Sequence, residues 1–105
     1  MAWLYLFSAG ILEIVWAFTM KQSDGFSRPG PTAITIVTMI GSFALLSLAM
    51  RSLPLGTAYT IWTGIGAVGA FIVGVTVLGE ALTPMRIAAA TLIVSGLVMM
   101  KLSAS

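Results

Sequence analysis

Four apolar runs, Trp3 to Met20, Thr32 to Met50, Leu55 to Leu78 and Met85 to Met100, fill most of this chain, and each is long enough to cross a bilayer as a helix. A backbone in hydrocarbon has to satisfy its own hydrogen bonds, so runs of this length read as transmembrane helices. Only 8% of the 105 residues are charged, against roughly 25% in soluble domains. Mean hydropathy is +1.09. The expected fold is all-α and integral to the membrane: one membrane domain over 1–105, with spans at about 3–20, 32–50, 55–78 and 85–100.

The punctuation between the runs agrees with that division. Lys21 closes the first span, and the segment from Lys21 to Pro31, with Asp24-Gly25, Arg28 and Pro29-Gly30-Pro31, reads as the first loop. Arg51 ends the second span, and Pro54 falls where a first helical turn tolerates proline. Gly79 and Glu80 interrupt the third, Thr83-Pro84 is a cap-then-proline start for the fourth, and Lys101 ends it. The N-terminus lacks the basic segment of a secretory signal and carries an acid where its apolar core would lie, so the first run reads as a retained span.

Cysteine and histidine are both absent. Disulfides, thiol chemistry and the commonest transition-metal ligand are therefore excluded, and the expectation is no metal, no cofactor and no enzymatic activity. The five basic residues are scattered singly, whereas a nucleic-acid surface would cluster them.

Glu13 stands out against this background, a carboxylate in the middle of the first span. A charge at that depth costs about 2.5 to 3.5 kcal/mol on insertion scales, so such an acid marks a functional site by default. Ala9 and Gly10 precede it at i−4 and i−3 and Trp16 follows at i+3, giving its face small residues on one side and an indole on the other. The closest basic residue along the helix, Lys21, is about 12 Å away along the axis. Glu13 must then carry a proton, bind a foreign cation, or alternate between the two. Alternation is proton-coupled exchange. The competing structural use is a protonated acid that glues helices together.

Tyr59, Trp62 and Thr63 share one face of span three, and a buried indole needs an acceptor, for which Glu13 is the candidate. Ser42 on span two lies at a depth similar to Trp62, which permits contact. Packing alone would also explain Tyr59 and Trp62, and a membrane serine such as Ser42 often bonds back to its own helix. Gly64 and Gly66 near mid-span supply either a hinge or close helix packing. Thr91, Ser95 and Gly96 on span four suit close helix contact, here assigned to dimer packing. Asp24 and Glu80 fall in loops, where a solvated carboxylate needs no role.

Four short-looped helices hardly suffice to enclose a site and gate it on both sides, so oligomerisation is expected. Lys and Arg near the span ends divide two against three: Arg51 and Lys101 on one side, Lys21, Arg28 and Arg86 on the other. So small a bias lets the chain insert in both orientations. Two oppositely inserted copies would form an antiparallel homodimer, with both Glu13 side chains facing one cavity.

The run Leu53-Pro54-Leu55-Gly56-Thr57-Ala58-Tyr59-Thr60-Ile61-Trp62-Thr63-Gly64-Ile65-Gly66 closely resembles the span-three signature of the small multidrug resistance family. Glu13 matches the essential acid of that family. Trp16 and Gly25-Phe26-Ser27-Arg28 resemble its guanidinium-exporter subtype, since quaternary-ammonium exporters usually have a small residue in place of Trp16. The resemblance covers the whole chain. It implies an antiparallel homodimer, multi-pass in the bacterial inner membrane, that exchanges protons for a guanidinium-type cation at paired Glu13 side chains. It further implies a network of Trp16, Ser42, Tyr59 and Trp62 around those acids, with Met39 and Phe43 lining an opening through which substituents reach membrane lipid. Phe18-Thr19-Met20 and Thr60 depart from the subtype's usual residues and bear on substrate breadth. The physical chemistry points the same way, because a planar cation with edge donors pairs with carboxylates through parallel hydrogen bonds and stacks on aromatic faces. Two other functions compete: export of quaternary ammonium and other lipophilic cations, and a non-transporting subunit of a larger membrane assembly.

Overall fold

The computed structural model describes residues 1–103, which form four helices: α1 (Ala2–Gln22), α2 (Pro29–Ala49), α3 (Leu55–Thr76) and α4 (Pro84–Ser103). All four are long and apolar enough to cross a membrane. The described residues contain no strand.

Helix ends follow local chemistry. α2 starts at Pro29, earlier than the sequence pattern suggests, because proline at the first helical position gives up no hydrogen bond while its fixed φ suits a helix. Arg28 just before it is extended (φ −103°, ψ 118°), as a residue preceding proline prefers. The first loop is therefore shorter than expected. Asp24, Gly25 and Phe26 reverse the chain with positive φ, and the buried Ser23 hydroxyl accepts from the Phe26 N–H at 3.1 Å. Pro54 sits at the N-cap of α3 rather than inside its first turn. Thr83 caps α4 by accepting from the Arg86 N–H at 3.2 Å.

The core lies among α1, α2 and α3, around Leu6, Ala9, Leu46, Ala49, Ala58, Ile61 and Trp62. α2 turns a stripe of Thr35, Ser42, Leu46 and Ala49 toward it. α1 and α3 approach so closely that side chains of one meet bare glycines of the other: Ile65 sits on Gly10, and Ile14 on Gly69. Without a hydrophobic driving force in lipid, such backbone proximity is how helices gain contact. α3 runs unbroken through Gly64-Ile65-Gly66. In contrast, α4 has its backbone next to α3 alone, and none of its described residues is buried.

Candidate functional site

Glu13 projects from α1 into the α1–α3 seam, where its carboxyl rests directly on the bare backbone of Gly66. A Cβ at that position would overlap the carboxyl. Gly66 thus makes room for the acid, and Gly64, two residues earlier, receives Leu97 of α4 in the same way. Both glycines serve close contact in this conformation.

The Glu13 Oε1 and the Trp16 Nε1 are buried and have no hydrogen-bond partner. A buried polar atom left unpaired costs about 1 to 3 kcal/mol. One of the two is an acceptor and the other a donor, both on the same face of α1. The site therefore favours something that can donate to the carboxylate.

Ser42 is fully buried and ties the three core helices together. It accepts from Trp62 Nε1 at 3.0 Å and donates to the Ala9 carbonyl at 2.7 Å. That bond crosses from α2 to α1, so the hydroxyl does not turn back on its own helix. Ala9 lies one turn before Glu13, so in an α-helix its carbonyl also receives the Glu13 N–H. The relay Trp62, Ser42, Ala9 thus ends on the backbone that carries the acid. The expectation that Trp62 bonds Glu13 is corrected: Gly66 faces Glu13, and Trp62, a full turn earlier on α3, lies level with Ser42 instead.

The aromatic residues form a continuous wall. Tyr59 packs on Trp62 (ring centroids 5.6 Å, tilted by 56°), Trp62 on Phe43 (5.7 Å, 59°), and Phe43 edge-on to Trp16 (6.2 Å, 72°). Such offsets are the favourable geometry for aromatic pairs. Phe43 bridges the two indoles while remaining 48% exposed, and Tyr59 is 53% exposed. Met39, one turn earlier on α2, is half-buried. The residues read from the sequence as a network are therefore brought together around Phe43, which sequence reasoning had placed only at an opening to lipid.

Thr91, Ser95 and Gly96 are all exposed and do not share one flank of α4. Thr91 and Ser95 line a groove with Val68, Phe71 and Ile72, while Gly96 borders a different one with Tyr59, Thr60 and Thr63. Two features lay outside sequence reasoning. One is the Ala9 carbonyl as the end of the relay. The other is a buried hydrogen bond of 2.7 Å between Thr19 of α1 and Thr35 of α2. Polar residues at matching depth on adjacent spans were the signal for the second. No cluster of acidic residues able to hold a metal occurs among the described residues.

Comparison with known proteins bears on what this arrangement does. Residues 1–93 match the family described as Small Multidrug Resistance protein. The chain is 56% identical over 103 residues to a guanidinium exporter of Escherichia coli strain K12, spanning 98% of both chains. It is 56% identical over 104 residues to a guanidinium exporter of Salmonella typhimurium strain LT2, spanning 99% of both. A guanidinium exporter of Citrobacter freundii is 54% identical over 103 residues, again spanning 98% of both.

Proposed function

The chain belongs to the small multidrug resistance family, and from that premise we propose that it exports guanidinium and small mono-substituted guanidinyl cations in exchange for protons, as an antiparallel homodimer. It is a multi-pass protein of the bacterial inner membrane. The observation that carries the proposal is the Glu13 Oε1, buried in a span with no hydrogen-bond partner. A carboxylate used only as helix glue would have found a donor on a neighbouring helix.

Two Glu13 side chains in one cavity would bind either protons or a cation. Like charges close together in a poorly hydrated site repel, so their occupancy is coupled. Guanidinium satisfies both acids with parallel N–H donors, and its departure returns protons to them. Trp16, Tyr59 and Trp62 offer aromatic faces to the positive charge, worth about 2 kcal/mol when desolvated. Ser42 sets the depth of α1 through Ala9. A tetraalkylammonium has no N–H donors and leaves the acids unpaired. Met39 and Phe43 form the opening to lipid for a single apolar substituent, whose burial is favourable by about 0.8 kcal/mol per CH₂.

The unburied α4 supports the dimer reading. Its exposed flank carrying Thr91 and Ser95 is assigned to the contact between copies, with Gly96 on the neighbouring flank. The near balance of basic residues allows both orientations.

Purified protein in liposomes tests the proposal by proton release on addition of guanidinium, of a mono-alkyl guanidinium, and of tetrapropylammonium. Release with the first two and not the third is expected. Release with tetrapropylammonium alone would move the protein to quaternary-ammonium export, and none with any cation would favour a non-transporting subunit.

A further inference from the structure

The α1–α3 seam carries a second carboxylate. Glu13 rests on Gly66, Ile14 on Gly69, and farther along the same helix the carboxyl of Glu80 rests on Gly74. An added Cβ at either Gly66 or Gly74 would overlap a carboxyl oxygen. The two glycines lie eight residues apart, about 12 Å along α3. Glu80 reaches Gly74 from outside the helix: Gly79 takes a left-handed φ of +70°, and the Glu80 N–H donates to the Gly74 carbonyl at 2.9 Å. That bond folds the α3–α4 loop back over the end of α3.

Beside Glu80, toward α1, lies a cavity of about 190 Å³ lined by Ala17, Phe18, Lys21, Ala70, Gly74 and Glu80 among others. It exceeds the roughly 30 Å³ that one water occupies in the liquid several-fold. Lys21 is the cationic side chain that shares this cavity with Glu80. Arg86 borders a separate cavity on the other side of Glu80, and its Nη1 is engaged by the Ala81 carbonyl at 3.1 Å. One acidic and one basic residue, both exposed, thus line a chamber two helical turns from the Glu13 seat.

We propose that this chamber is a second cation subsite, in which Glu80 receives a guanidinium-type cation between the membrane surface and Glu13, in competition with Lys21. The proposal rests on the export reading above. A planar guanidinium offers a carboxylate two parallel N–H donors, whereas an ammonium binds as a point charge, so the exchange favours the guanidinium. A quaternary ammonium has no N–H and gains little there. In an antiparallel dimer the α3–α4 loops of the two protomers lie at opposite membrane faces, which provides one such subsite at each face.

The test is guanidinium-driven proton exchange by the full chain in liposomes, with KM and kcat measured separately for Glu80→Gln and Lys21→Met. Glu80→Gln should raise KM about two- to fivefold, the range for a partly solvated ion pair, with kcat unchanged. Lys21→Met removes the competitor and should lower KM. A purely structural role for the loop would shift both variants in one direction and reduce kcat as well, and that outcome overturns the subsite, as does an unchanged KM in both. Should Glu80→Gln fail to fold, Lys21→Met decides alone: a KM that does not fall overturns the subsite. Absence of exchange in the unaltered protein would instead overturn the export reading itself.

Discussion

The first three helices and the fourth are all apolar enough to cross a membrane but differ in what they bury. Among the described residues, α1, α2 and α3 hold every buried residue of the helices and every side-chain hydrogen bond between helices; α4 buries none and meets α3 through Leu97 on Gly64. Met100 also packs against the core, and the Lys101 ammonium lies 4.7 Å above the Trp3 ring. The difference separates two tasks. The three-helix body fixes the depth and environment of Glu13, and α4 offers surface to something outside the chain.

The largest effect should come from the centre of the body. Glu13→Gln keeps shape and removes the titrating proton, so guanidinium-driven proton exchange should fall to background while association of the proposed dimer, measured by energy transfer between labelled copies in bilayers, should be unchanged. Exchange surviving in this variant would break the assignment of chemistry to the body.

Next in size is Ser42→Ala. It removes the acceptor of the Trp62 N–H and the donor to the Ala9 carbonyl. Leaving a buried donor unpaired costs about 1 to 3 kcal/mol, which equilibrium unfolding in detergent should register together with a change in tryptophan emission. An unchanged stability would show that the relay does not hold α1 against α2.

Much of this division was legible in the sequence. Apolar runs in lipid admit little besides helices, and an acid within one has few explanations, so the four spans and the prominence of Glu13 follow directly. Matching depths from the helix ends also brought Ser42 and Trp62 to one level. That Glu13 is not the acceptor of Trp62 was not legible, because it depends on the axial register of α1 against α3, and that register is set by which side chains meet Gly10, Gly66 and Gly69. The split of Gly96 from Thr91 and Ser95 was missed for a related reason. Adjacent residues on a helix point about 100° apart, so closeness in sequence placed on one face what the helix assigns to two.

A smaller effect sharpens the role of α4. If the flank carrying Thr91 and Ser95 is the contact between copies, Ser95→Leu should weaken the dimer about tenfold, a change of about 1.4 kcal/mol. Gly96→Leu points instead into the groove beside Tyr59 and Thr63, and should disturb transport more than association. The reverse ranking in the energy-transfer assay would move the contact to the other flank.

The smallest effect compares one substitution in both regions. Thr19 and Thr35 are buried with their hydroxyl oxygens 2.7 Å apart, and each hydroxyl has a single proton to give. If Thr19 donates across to α2, Thr35 donates to the Pro31 carbonyl at 2.8 Å; if Thr35 donates, Thr19 turns to the Trp16 carbonyl at 3.3 Å. The shorter alternative favours the first. Thr19→Val then loses one bond between helices while Thr35 keeps Pro31, at a cost of about 0.6 kcal/mol, the usual size of such bonds in membranes. Thr35→Val leaves Thr19 its own helix carbonyl and should cost about the same. The double variant should cost less than the sum of the two single changes, because both mutations delete the same bond between helices. Thr91 on α4 donates to its own Ile87 carbonyl at 2.8 Å, an arrangement confined to its helix. Thr91→Val should therefore leave the stability of the single chain unmoved, so any loss it causes in dimer association reports a contact with another copy. Strictly additive losses at Thr19 and Thr35 in unfolding experiments would show that the two hydroxyls do not bond each other, and among the described residues Ser42 would then supply the one side-chain hydrogen bond holding α1 against α2.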